Sequence, residues 1–147
     1  MISVLIIGFG NSLRTDDGVG WHIAQELMRS INSPGVEVIS CGQLTPDLAE
    51  PIGRARRVIF IDAAQQGPLG QPTWERVTPV PIPDNFSHQL SPAALIALAR
   101  DLYGSSPEAT LVTIAAESFA FGESLSPRVA VQVPRLVADI RDFIGHL

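Results

Sequence analysis

Asp16, Asp17, Asp62 and His88 are the residues whose types and settings could do chemistry. The first two close the run Gly8-Phe9-Gly10-Asn11-Ser12-Leu13-Arg14-Thr15-Asp16-Asp17-Gly18, which follows an apolar stretch and opens a helical pattern. A helix start favours negative charge, so both acids have a structural reason to be there. Asp16 reads as a cap or structural partner; Asp17 is open to either a structural or a chemical role. Asp62 ends the apolar run Val58-Ile59-Phe60-Ile61 and precedes Ala63-Ala64. Open α/β sheets bind ligands at the carboxyl ends of their strands. Parallel neighbouring strands would therefore bring Asp17 and Asp62 to one edge, although a plain turn aspartate has equal standing. His88 lies in Ser87-His88-Gln89-Leu90-Ser91-Pro92, a loop before a helix start. His22, inside a helical pattern, and His146, next to the last residue, suggest no site.

Together Asp17, Asp62 and His88 would offer two oxygen ligands and one nitrogen. That set suits a borderline divalent metal such as nickel or zinc, with positions left for water. The metal could polarise a carbonyl or generate hydroxide; alternatively either carboxylate could act as general base on water. The three residues are too far apart in sequence for a compact metal motif. Cys41 has no base to activate it as a nucleophile and reads as a small, half-buried loop residue. Glu117 is read as ending the fifth strand and could face the same site or serve as a structural partner there. No serine–histidine–acid pattern emerges.

Other chemistries are excluded. The glycine run begins like a dinucleotide fingerprint, but Leu13 occupies the third glycine position and two carboxylates would crowd a pyrophosphate. The chain carries ten Lys+Arg against fifteen Asp+Glu, a formal net charge of −5. No cation cluster supports a nucleic-acid surface. Arg54, Arg56 and Arg57 form the densest basic stretch and read as a solvated helix end. A single cysteine precludes an intrachain disulfide and fits a reducing cytoplasm. No stretch reads as a signal peptide, and no apolar run reaches the roughly 20 residues of a membrane helix. The expectation is a soluble cytoplasmic protein.

The elements that must position these residues alternate between strand and helix. Apolar residues make up 46% of the 147, enough for one core in a single domain over 1–147. Val4 to Ile7 reads as a strand buried on both faces. Val19, Ile23, Leu27 and Met28 repeat at helical spacing, ending near Asn32-Ser33-Pro34-Gly35. A second strand is expected over 36–40, a short helix from Thr45-Pro46 to about Ile52, and a third strand over 58–61. Thr73 to Val80 alternates like a strand near an edge. Prolines 79, 81 and 83 make 79–85 an irregular surface loop. A helix over 91–103 stops at Gly104, and Leu111 to Ile114 is a fifth strand. The last helix spans Ser126-Pro127 to about Ile144, kinked by Pro134. Thr45-Pro46, Ser91-Pro92 and Ser126-Pro127 each pair a capping hydroxyl with proline at the first helical position. The fold class is α/β: a three-layer α/β/α sandwich around a twisted, mostly parallel sheet of about five strands.

In these blocks the chain resembles the NiFe-hydrogenase maturation proteases. The resemblance rests on Ile7 to Gly18, on Phe60-Ile61-Asp62-Ala63, on Ser87-His88-Gln89-Leu90, and on Glu117-Ser118-Phe119 with Leu125-Ser126-Pro127. It implies an endopeptidase that removes the C-terminal extension of a nickel-loaded hydrogenase large-subunit precursor, its partner. It implies that Asp17, Asp62 and His88 are the metal-contacting and catalytic set, with Asp17 standing where many members have glutamate. The nickel would come with the substrate, zinc or cadmium substituting in vitro, and the protein would act as a monomer. Many members have an aspartate and a Gly-Thr pair where this chain reads Ser40-Cys41-Gly42-Gln43-Leu44-Thr45-Pro46. The Gln-Leu form is similar to proteases serving soluble, bidirectional, NAD(P)-coupled hydrogenases. The competing readings are a non-catalytic chaperone that checks nickel loading and an unrelated small metallohydrolase.

Overall fold

The computed structural model describes residues 1–82 and 90–147. Five strands are β1 (Ile2–Phe9), β2 (Val36–Cys41), β3 (Ala55–Ala64), β4 (Pro72–Val77) and β5 (Glu108–Ala115). They form one sheet in the order β2-β1-β3-β5-β4, parallel except for the antiparallel edge strand β4. The helices are α1 (Val19–Ser30), α2 (Ala49–Gly53), α3 (Pro92–Tyr103), α4 (Pro127–Ala130) and α5 (Val133–Gly145). A 3-10 turn over Thr15–Gly18 leads directly into α1.

Strand periodicity splits the core in two. Leu5, Ile7, Val58 and Phe60 face α2 and α3, packing with Ile52, Leu95 and Ile96. Val4, Ile6, Ile59 and Ile61 face the other way, against Ile23 and Leu27 of α1 and Leu136 and Ile140 of α5. Because both faces are covered, the central strands need continuous apolar runs rather than alternation. This is the expected three-layer sandwich. The exposed edge strand β4 sets Trp74 against Phe143 of α5, ring centroids 5.4 Å apart.

The structure also corrects the sequence reading. The C-terminal helix is not one kinked rod: it divides into α4 and α5, with Pro134 in the first turn of α5, where proline lacks no hydrogen bond. Only Ser91 caps as expected, accepting from the Ala94 N–H at 3.1 Å. Thr45 bonds the Asp47 carboxylate, and Ser126 has a more distant partner described below. Of the basic stretch, Arg54 ends α2 beside Glu50, whereas Arg57 belongs to β3 and pairs with Glu108 across the sheet. The edge strand stops at Val77, short of the expected Val80.

Candidate active site

From β1 the chain crosses to β2 on one side and to β3 on the other, so strand order reverses between β1 and β3. At such a point the loops diverge and leave a crevice beyond the carboxyl ends of the strands. Here the crevice is a cavity of about 400 Å³ whose wall includes Gly10, Arg14, Asp17, Gln43, Asp62 and Phe119. Two of the three sequence candidates, Asp17 and Asp62, therefore share one cavity. The third, His88, lies outside the described residues, as do the Ser87 and Gln89 beside it.

Glycines bring the acids together. A Cβ on Gly20 would lie 2.1 Å from the Ile61 carbonyl oxygen, so only glycine lets α1 press its backbone onto the end of β3. Gly10 has φ +144°, and a Cβ there would lie 1.9 Å from the Asp17 carbonyl oxygen. The motif that imitates a phosphate loop is thus a packing device that lowers Asp17 towards Asp62. The Asn11 N–H donates to Asp17 Oδ2 at 2.9 Å, and Asn11 Oδ1 accepts from the Leu13 N–H at 2.9 Å. Asp17 is therefore held by one oxygen, and the other has no partner among the described residues.

Asp62 lies near the carboxyl end of β3, opposite Thr113 of β5; the strand runs two residues past it, to Ala64, rather than ending at Asp62 as the sequence suggests. Burial pushes its carboxyl up to about 7; the Ala63 N–H pulls the other way, and the charge of Asp17 adds to the rise. Near neutrality Asp62 can therefore both accept and release a proton.

Asp16, one residue from Asp17, has a different fate. It is fully buried. Its carboxylate accepts from the N–H groups of Glu117 (2.9 Å), Ser118 (3.0 Å) and Ser126 (2.8 Å), and from the Ser126 hydroxyl (2.7 Å). Burial alone would raise its pKa, but the hydroxyl and backbone donors together outweigh it and hold the group below the ordinary value. Asp16 is a structural partner and not a helix cap. It ties the glycine loop to the segment after β5, which explains why Ser126 does not cap α4.

Further bonds reinforce that tie. The Thr15 N–H donates to Gly122 O at 2.9 Å, the Gly122 N–H to Leu13 O at 2.8 Å, and the Thr15 hydroxyl to Ala120 O. Thr15 adopts φ +51°, a region a β-branched residue enters only under constraint. Arg14 donates from Nε to Phe119 O at 3.3 Å and sets its guanidinium carbon 5.8 Å from the Phe119 ring centre. Spacing did not single out Arg14 or Phe119 for the cavity wall, since their placement depends on this long-range tie.

The remaining candidates lie off the cavity. Glu117 uses its N–H on Asp16, and its side chain is exposed. Cys41 packs beside the core, where burial and then the charge of Asp47 push its thiol up, making it a poor nucleophile. His22 lies in α1 among Trp21, Glu26 and Val133, on a separate groove, and burial lowers its pKa. His146 bonds the Asp142 carbonyl at the end of α5. Among the described residues, no three His, Cys, Asp or Glu side chains cluster as metal ligands, and no helix is long and apolar enough to cross a membrane.

Comparison with known proteins places this architecture. The protease HycI from Thermococcus kodakarensis KOD1, a NiFe-hydrogenase maturation protease, superposes with TM-score 0.80 at 22% identity, over 97% of this chain and 92% of that one. The hydrogenase maturating endopeptidase HybD from E. coli gives TM-score 0.80 at 22% identity, over 99% and 93%. A second T. kodakarensis protease, HybD, gives 0.73 at 21% identity, over 97% and 99%. At these identities the superpositions establish the shared fold. No curated protein matches in sequence. The sequence profile of the hydrogenase maturation proteases matches residues 21–142, most of the chain from α1 into α5. The chain thus belongs to the hydrogenase maturation protease family, and it is an endopeptidase of hydrogenase maturation.

Proposed function

We propose that this endopeptidase removes the C-terminal extension of a nickel-loaded hydrogenase large-subunit precursor. In this reading Asp17, Asp62 and His88 contact the substrate's nickel, and Asp62 moves the proton. Water attacks the scissile carbonyl and forms the new C–O bond. Asp62 takes the water's proton and delivers it to the leaving amine as the C–N bond breaks. The observation that carries the reading is the pairing of Asp17 and Asp62 in one cavity, with Asp62 poised at about 7.

That pairing also supplies a reason to wait for the metal. In the free protein, burial and the charge of Asp17 keep Asp62 partly protonated. A divalent cation arriving with the substrate favours the carboxylate, so Asp62 is more fully ionised with nickel-loaded than with metal-free precursor. The nickel belongs to the substrate; zinc and cadmium fit the same two-oxygen, one-nitrogen set as substitutes. Gly42, Gln43 and Leu44 line the cavity. Their place there supports their reading the substrate, and the Gln-Leu pair points to a soluble, bidirectional, NAD(P)-coupled hydrogenase as its source. The protein acts on it as a cytoplasmic monomer.

The test is the mass of a nickel-loaded precursor before and after incubation with the wild type and with Asp62→Asn. Loss of one C-terminal peptide with the wild type only is expected. Equal cleavage by Asp62→Asn would remove Asp62 from the chemistry, and a stable complex without cleavage by the wild type would mark a binding protein.

A further inference from the structure

Phe121 is 87% exposed, the most exposed large apolar side chain among the described residues, and Leu13 is 45% exposed. An exposed phenylalanine on a floppy loop would mean little. This one is fixed. The segment on either side of it is bonded to the glycine loop through Thr15 N–H to Gly122 O, Gly122 N–H to Leu13 O and the Thr15 hydroxyl to Ala120 O. Gly122 and Arg14 form a parallel bridge, and Phe121 and Leu13 are the residues that immediately precede its two members. The Ala120 N–H donates to the Ser118 hydroxyl, and Asp16 anchors both ends of the segment. An exposed aromatic carried on a fixed backbone has already lost the main-chain freedom that binding would otherwise cost, which favours an interface anchor.

Its position says what it anchors. Phe121 is two residues from Phe119 and Leu13 is one from Arg14, and both Phe119 and Arg14 wall the cavity. Two residues span at most about 7 Å. A standard interface covers about 800 Å² on each partner, a patch roughly 16 Å in radius. The footprint of a folded protein that feeds a peptide into this cavity therefore reaches Leu13 and Phe121. We infer that Leu13 and Phe121 form the docking anchor for the hydrogenase large-subunit precursor, received by an apolar surface of that protein beside its tail. The inference rests on the cleavage reading above and adds the surface through which the precursor is held.

The experiment compares wild type, Phe121→Ser, Phe121→Trp and Leu13→Ser in steady-state cleavage of the nickel-loaded precursor, with Tm measured for each. Phe121→Ser should raise KM by about 30-fold with kcat within twofold and Tm unchanged, Leu13→Ser should raise it less, and Phe121→Trp should restore it. A wild type that cuts, beside a Phe121→Ser variant of unchanged KM, overturns the anchor and leaves the protease reading intact. Self-association of the wild type that Phe121→Ser abolishes, with KM unchanged, gives the patch to a second copy of this chain and also overturns the proposal. A wild type that neither cuts nor binds the precursor overturns both readings together.

Discussion

Two aspartates in this protein are drawn out of water, and their surroundings send them in opposite directions. Asp16 is fully buried and receives three backbone N–H groups and one hydroxyl, so its charge is satisfied and its pKa falls. Asp62 has one backbone N–H in its favour against burial and a neighbouring carboxylate, so its pKa rises to about 7. Burial penalises both; the number of donors decides the outcome. A buried acid surrounded by donors holds a structure together, while a half-buried one left short of them is available for proton transfer.

The comparison breaks most sharply at Asp62. Asp62→Asn should cut precursor cleavage by at least about a thousandfold, measured in single turnover, while making the protein more stable at pH 8. The sign follows from linkage. Between the ordinary 3.8 and about 7 the folded state binds the extra proton, so wild-type stability falls as pH rises through that window. The Asn variant lacks this loss, and its advantage in urea unfolding should vanish below about pH 4. An Asn variant less stable than wild type at pH 8 would mean that Asp62 is satisfied after all.

Asp16→Ala should do the reverse, removing four bonds to a buried charge. A loss of about 3–5 kcal/mol is expected, a fall in Tm of about 10 °C for a chain of this size. Activity should fall with it, because Arg14 and Phe119 lose their frame. Gly20→Ala sharpens the contrast from the Asp62 side. It pushes α1 off the Ile61 carbonyl, at about 1–3 kcal/mol, and by letting water in should move the pH–rate profile to lower pH. The smallest effect is reserved for Ser126→Ala, about 1–2 kcal/mol. Asp16 has a depressed pKa, so its contribution is present above 3.8 and lost as pH falls through its folded value. Ser126→Ala should therefore lose acid stability at a higher pH than the wild type.

How legible this was in the sequence depended on the range of the forces involved. The buried strands were readable because Val4 to Ile7 and Val58 to Ile61 have apolar faces on both sides. The approach of Asp17 to Asp62 followed from strand-end position and parallel pairing, and the structure shows it. The ties that complete the cavity span more than a hundred residues, as Arg14 to Phe119 and Asp16 to Ser126 do, and no local pattern announces them. Ser126 illustrates the failure: Ser-Pro predicts a cap, but a buried carboxylate outcompetes the helix end for its hydroxyl. The break between α4 and α5 was likewise misread, because proline serves equally as kink or first turn. The metal and catalytic roles given to Asp17, Asp62 and His88 are a separate matter for the experiments above, with His88 outside the described residues.

The tie centred on Asp16 also sets an order of events during synthesis. The glycine loop leaves the ribosome well before its partners, since Glu117 lies 101 residues and Ser126 110 residues after Asp16. Until then Asp16 has nothing to receive its charge, Thr15 has nothing to hold it in its constrained conformation, and the cavity lacks a wall. A nascent or prematurely terminated chain that lacks Glu117 to Ser126 therefore carries its acids without an assembled site, and cannot cut peptide bonds until those residues have been made.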